Sequence, residues 1–326
     1  MNLPRALSTA IEHEVSRFDR KPLARAAEEL SLAYRSPSQR AGCVFGSDLH
    51  RAAYLVTRVP ATYAAVRAVL EESKLRLPQA NVSSLLDLGA GPGTGPWAAV
   101  ELFPQIEKIT LIERDAEFIR LGRMLAAHSP NAALAAARWQ QADLIDVAEL
   151  PDHDLVLLSY SLGELRASQL LLRKAWAAAR VALVVVEPGT PRGFQTILDA
   201  RQHVVAAGAH LAAPCPHERE CPLAGNRKDW CHFAVRLERS SLHRRAKSAA
   251  MGYEDEKFSY VVAARNKVNR AAARILRHPM KHKGHIQLQL CTPEGLKQET
   301  VTRGAGDAFR RARHSEWGEE WEFPNS

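Results

Sequence analysis

"LLDLGAGPGTGPW", residues 85–97, runs a short apolar segment into four glycines, at 89, 91, 93 and 95. The residues leading in, "SSLLDLG", read as a buried strand, and "GTGPWAAVELF" reads as the helix that follows. Glycines between a strand and a helix let the backbone turn tightly and approach a ligand closely. The dinucleotide fingerprint G-x-G-x-x-G fails in both registers, because its last position is Thr94 in one and Pro96 in the other. A pyrophosphate-binding loop is therefore not expected.

Outward from this loop the pattern repeats. "KITLIE", "ARWQQADL", "HDLVLLSYSL" and "VALVVVEPG" read as strands. "AEFIRLGRMLAAH", "ELRASQLLLRKAWAAA" and "FQTILDARQHVVAAG" read as the helices between them. Short apolar strands alternating with helices imply a mostly parallel sheet covered on both faces. Before the loop, residues 1–80 read as helices. Leu3, Leu7, Ile11, Val15 and Phe18 fall at helical spacing, Ser47 can cap a helix, and Pro60 suits a first turn. After it, "KFSYVVAARN" and "HIQLQLCT" read as further strands, with "GLKQETVTR" beside them. The polar stretch from Gly304 has no assignment.

The alternating G-x-G-x-G form after Asp87 resembles motif I of the class I S-adenosylmethionine-dependent methyltransferases. That ligand carries a cationic sulfonium and no phosphate, so an acidic residue near Gly89, Gly91 and Gly93 complements it. The resemblance implies a carboxylate at the end of the next strand for the ribose hydroxyls. Glu113 stands there, 24 residues beyond Gly89. It also implies Asp143 at the adenine amine, though a turn aspartate accounts for Asp143 equally well. The substrate side is less marked. The Asn/Asp-Pro-Pro-aromatic motif of amino-directed enzymes is absent from "SYSLGEL" (159–165), and no cysteine nucleophile stands there. Tyr160 and Glu164 are the candidates for the substrate mouth. Strand-end packing and a helix cap explain them as readily.

"APCPHERECPLAGNRKDWCHF" (213–233) holds Cys215, Cys221 and Cys231 within 17 residues, bracketed by prolines. Cysteine is otherwise sparse, so disulfides are a poor default and a metal or cluster is indicated. A closed site needs a fourth ligand, for which His217, His232 and the distant Cys291 are the candidates. Cys43 is expected to be structural. Net charge is +8. From Lys257 to Pro293 no acidic residue occurs, which points to a polyanionic partner. The candidate RNA-binding residues are Arg265, Lys267, Arg270, Arg274, Arg277, Lys281 and Lys283. Few aromatics interleave them, so phosphate contact on structured RNA is expected rather than base stacking.

Taken in order, the glycine loop, "EPGTPRGF" (187–194), "CPHERECP" (215–222), "DWCHF" (229–233), "YEDEKFSYVV" (253–262) and Cys291 resemble the mitochondrial small-ribosomal-subunit methyltransferase-like assembly factors and their bacterial relatives. "YLVTRVPATYAAV" (54–66) resembles their helical N-terminal part. The resemblance implies a [4Fe–4S] cluster on Cys215, Cys221, Cys231 and Cys291. It also implies contact with small-subunit rRNA, and a role in its methylation or in ribosome assembly. Zinc stays open as the alternative metal, as do a non-catalytic assembly factor and a zinc-binding methyltransferase of a protein or small molecule.

The expected organisation is a helical region (1–80), an S-adenosylmethionine-binding Rossmann-like core (81–210), a cysteine-rich insertion (211–252), the last sheet strands with the basic segment (253–303) and a polar tail (304–326). No apolar run approaches the roughly 18–20 residues of a membrane span. The mixed charges of "MNLPRALSTAIEHEVSRFDR" argue against a signal or transit peptide. A cytoplasmic protein, monomeric when free, is expected.

Overall fold

The computed structural model describes residues 1–35, 46–165, 168–240, 243–244 and 251–323. Cys43 and the helix stop expected at "SPSQR" lie outside the described residues. Helices α1 (Arg5–Val15), α2 (Arg20–Arg35), α3 (Asp48–Thr57) and α4 (Val59–Arg76) come first. Ser47 caps α3 by accepting the His50 N–H, and Pro60 sits in the first turn of α4.

The α/β core then runs β1 (Ser84–Leu88), α5 (Thr94–Leu102), β2 (Lys108–Glu113), α6 (Ala116–Ala126), α7 (Ala132–Ala135), β3 (Arg138–Gln141), β4 (His153–Ser159), α8 (Ser168–Ala178), β5 (Ala179–Pro188), α9 (Pro191–Ala206), β6 (His210–Ala213), β7 (Phe233–Glu238) and β8 (Tyr253–Ala264). The sheet order is β3-β2-β1-β4-β5-β8-β6, and β7 also pairs with β8. β1 to β5 are parallel, and β8 enters antiparallel between β5 and β6. This is the Rossmann-like class I methyltransferase fold that the glycine loop implied. The order reverses at β1, whose neighbours are β2 and β4, so a crevice opens at the carboxyl ends of those strands.

Both faces of the sheet are covered, which is why the central strands read as unbroken apolar runs. Leu85, Leu155, Leu157 and Val184 face the N-terminal helices and α5, whereas Leu86, Val156, Leu158 and Val185 face α8 and α9. Strands β6 and β7 were not foreseen. Each is short, and β7 follows directly on the cysteine loop.

The strands read at 285–292 and 295–302 do pair, but in a separate sheet. It is built from β9 (Arg274–Ile275), β10 (Met280–Lys281), β11 (His285–Thr292) and β12 (Gly295–Thr302). The stretch left unassigned belongs to this unit. Helix Asp307–His314 lies against β11 and β12, and Trp321 is buried in the same core as Ile286, Leu288 and Leu290. Its polar composition hid this, because two alanines and one tryptophan carry most of the packing.

Candidate functional site

The crevice holds a cavity of ≈ 260 Å³. Gly89 and Gly91 form one wall, in the left-handed conformation at φ 71° and 54°. A Cβ on Gly89 would stand 2.6 Å from the Ser161 Cβ, so only glycine fits between β1 and the end of β4. The Gly91 N–H donates to Glu113 Oε2 at 2.9 Å, and the Asp115 N–H donates to Oε1 at 2.8 Å. Glu113 therefore fixes the loop against β2 while lining the cavity. A carboxylate has about four acceptor positions, so two stay available for a ligand. Asp143 also lines the cavity, and its Oδ1 accepts the Ile145 N–H at 3.1 Å. It is thus a turn aspartate and a wall residue at once.

Asp87 is placed differently from the sequence expectation. It is fully buried beneath the loop, does not line the cavity, and neither carboxyl oxygen has a hydrogen-bond partner. Burial, reinforced by Glu113, pushes its carboxyl up to about 8. Near neutral pH it keeps its proton, so it cannot supply the negative charge expected of it there. Gly93 likewise lies off the cavity, against Trp139.

Tyr160 and Glu164 do line the cavity, at its β4 side. Tyr160 is in the left-handed region at φ 56°, a conformation costing roughly 1–3 kcal/mol for a residue with a side chain. Its hydroxyl donates to Glu256 Oε1 at 3.0 Å. Arg58 reaches the same Oε1 at 3.4 Å, with its guanidinium 5.2 Å from the Tyr34 ring and 5.8 Å from the Tyr160 ring. Tyr34, Tyr54, Arg58 and Thr62 thus bring α2, α3 and α4 over the crevice. Sequence reasoning missed these residues. No spacing marks them, because what brings them to the site is helix packing. Glu256 was missed as well, because it reaches the site from β8, far along the chain.

A second, much smaller cavity of ≈ 30 Å³ is lined by Cys215, Cys221, Cys231 and Cys291 together, with His217. All four thiols are free. They come from the loop between β6 and β7 and from β11, and meet beside Phe194 and Leu198 of α9. Burial pushes up Cys221, Cys231 and Cys291, the last to about 12, and the neighbouring sulfurs raise each further. Such thiols ionise together only around a positive centre. The Leu223 and Ala224 N–H groups act the other way on Cys221, favouring its thiolate. A sulfur-only donor set with backbone N–H support has the chemistry of a cluster site. Among the described residues, no group of three or more His, Cys, Asp or Glu side chains is close enough to hold a single ion. His217 Nε2 is 3.8 Å from Cys291 Sγ. His232 does not line this cavity; it stacks on Trp230 with centroids 5.1 Å apart.

The basic window needs correction. Arg274 is 2 % exposed and cannot reach RNA; it bonds Glu72 and the Pro214 and Gly318 carbonyls. Arg270 pairs with Glu218, and Arg277 with Asp229. Arg265 donates to the Ala179 carbonyl and lies over the Trp176 ring at 3.9 Å. The acids missing from 257–293 are therefore supplied by α4 and the cysteine loop. Lys267, Lys281 and Lys283 are exposed.

With the fold and both cavities in place, comparison with known proteins assigns the chain. The family model "Mitochondrial small ribosomal subunit Rsm22" matches residues 48–322. The chain belongs to the Rsm22 family. The Homo sapiens protein named "Ribosome assembly protein METTL17, mitochondrial" is 29% identical over 82% of this chain and 61% of its own length. The Schizosaccharomyces pombe "Rsm22-cox11 tandem protein 2, mitochondrial" is 26% identical over 90% of this chain and 46% of its own. This Rsm22-family chain thus spans about half to three-fifths of the length of these relatives. Both are named mitochondrial, which overturns the cytoplasmic location expected from the charges of the first residues. Among solved structures, the magnesium protoporphyrin IX methyltransferase from Synechocystis PCC 6803 matches 65% of this chain and 81% of its own. The identity there is 12% and the TM-score 0.40. The sheet order, not this remote likeness, carries the fold assignment.

Proposed function

We propose that this Rsm22-family chain is an assembly factor for a small ribosomal subunit of the mitochondrial type, binding S-adenosylmethionine and rRNA. The family match over 48–322, which takes in both cavities, is the observation that carries this reading. The relatives' names supply the ribosomal context.

The larger cavity suits the cofactor. Glu113 would hold the ribose hydroxyls, Asp143 the adenine amine, and the Gly89–Gly91 wall would lie against the adenosine. When bound, S-adenosylmethionine supplies a methyl group ready for in-line displacement. The chain's part is to orient and to exclude water, and Arg58, Tyr34 and Tyr160 are placed to do both at the mouth. Asp87 supports the loop from beneath without touching the ligand. Cys215, Cys221, Cys231 and Cys291 would hold a [4Fe–4S] cluster. Its role would be structural, since sulfur ligation contributes directly to folding. Iron with acid-labile sulfide in purified protein supports the cluster; zinc without sulfide contradicts it.

A non-catalytic reading has one observation in its favour. The Tyr160 hydroxyl already donates to Glu256, and Glu256 is shared with Arg58. Calorimetric titration tests cofactor binding in either case. Glu113→Gln should weaken S-adenosylmethionine affinity about tenfold, the loss of one charge-assisted hydrogen bond. Unchanged affinity contradicts the assigned site. Methyl label appearing in small-subunit rRNA supports catalysis, and its absence with intact binding leaves the assembly role alone.

A further inference from the structure

The second sheet has one covered face and one open face. Directly opposed residues of an antiparallel pair share a face, and successive residues alternate. Ile286, Leu288 and Leu290 point into the core around Trp321. The alternate positions pair as His285 with Thr302, Gln287 with Thr300, and Gln289 with Gln298. Over these three pairs the open face therefore consists of amides, hydroxyls and an imidazole, with no carboxylate, and the exposed Met280, opposite Gln287, and Leu296, opposite Cys291, flank it. The single acidic residue of β12, Glu299, opposes Leu288 on the other face and pairs with Lys297 at 2.7 Å.

One end of this face is cationic. The turn between β10 and β11 carries His282 and Lys283, both exposed, whereas Lys281 of β10 opposes Ile286 and belongs to the other face. The Arg303 N–H donates to the Gly284 carbonyl at 3.2 Å, which brings that exposed arginine to the same tip. The His282 and His285 rings stack there with centroids 4.6 Å apart. Among the described residues no carboxylate lies within ion-pair distance of Lys281, Lys283 or Arg303. Arg270, Arg274 and Arg277 of the same basic window are by contrast spent on internal partners.

We propose that the open face of β11 and β12, with its cationic tip, is the surface on which this protein holds structured RNA. The inference rests on the ribosomal reading above and names the surface that serves it. Phosphates would meet Lys283 and Arg303, and the glutamine and threonine side chains would meet 2′-hydroxyls and base edges, for which they offer donors and acceptors. The scarcity of aromatics on the face suits a paired, A-form partner over a stacked single strand. β11 also carries Cys291 at its other end, roughly 20 Å from His285 at strand rise. The cysteine site thereby roots the strand whose far end meets RNA.

The test uses the full chain and a small-subunit rRNA fragment, with fluorescence anisotropy across a salt series. Lys283→Glu/Arg303→Glu should weaken binding at least about tenfold and flatten the salt slope by about one to two. Gln289→Ala/Gln298→Ala should weaken binding about fivefold, with the slope unchanged, because no phosphate contact is lost. Lys21→Glu/Lys74→Glu, exposed on α2 and α4, removes the same charge elsewhere and should change affinity less than about twofold. Equal weakening by the two charge-reversal pairs would overturn the tip. Unchanged binding by the glutamine pair would overturn the face. Wild-type protein that binds no rRNA removes the ribosomal reading along with the surface.

Discussion

The carboxyl of Asp87 lies under the first turn of α5, where a Cβ on Gly95 would meet its Oδ2 at 2.8 Å and Leu157 at 2.5 Å. Its side chain is sealed from solvent, and its folded pKa, about 8, stands above the usual 3.8. A carboxyl raised in this way makes stability fall as pH rises from about 4 to about 8, because the unfolded chain releases the proton first. The limiting slope is about 1.4 kcal/mol per pH unit. Below that window both states hold the proton; above it the loss is complete. Asp87→Asn removes this term, so thermal unfolding of the ligand-free variant should gain on wild type steadily from pH 5 to pH 8. Glu187, also pushed to about 8 by burial, is present in both proteins and drops out of the difference. A constant gap between the two melting curves across that range would show that Asp87 is ionised in the fold.

At the scale of elements, the cysteine loop and β11 are held together by a contact that crosses the two sheets. Phe194 and Leu198 of α9, Leu223 of the loop and Leu276 beside β9 form the apolar side of this junction, and the four sulfurs form the other. Removing one sulfur should therefore loosen the second sheet selectively. Cys291→Ser is expected to lose the proposed cluster and to raise amide exchange in β11 and β12 about tenfold or more, with β1 and β2 unaffected. Uniform exchange across both sheets would remove the junction role. The glycine loop and the cysteine loop were legible in sequence because each is local: a tight turn needs glycines, and Cys215, Cys221 and Cys231 fall within 17 residues. The tail around Trp321 was not legible, because its burial depends on a sheet formed by other residues.

Over the whole molecule, what the sequence concealed shares one cause. Charge read along the chain is not charge read in space. The acid-free window of 257–293 meets Glu72 of α4 and Glu218 and Asp229 of the cysteine loop, so most of its arginines brace the fold. Arg58 and Tyr34 reach the crevice through the packing of helices that no motif ties to it. The mostly parallel sheet, by contrast, followed from the strand–helix alternation, because short apolar strands joined by helices are covered on both faces. What emerges is an α/β crevice roofed by N-terminal helices, and a separate sheet that meets the cysteine loop at Cys291. The most direct measurement is crosslinking of the chain to RNA in living cells, read at nucleotide resolution. The expected result is a concentration of crosslinks on small-subunit rRNA, joined to peptides of the 281–303 region. Crosslinks spread over cellular RNAs in proportion to their abundance would contradict it.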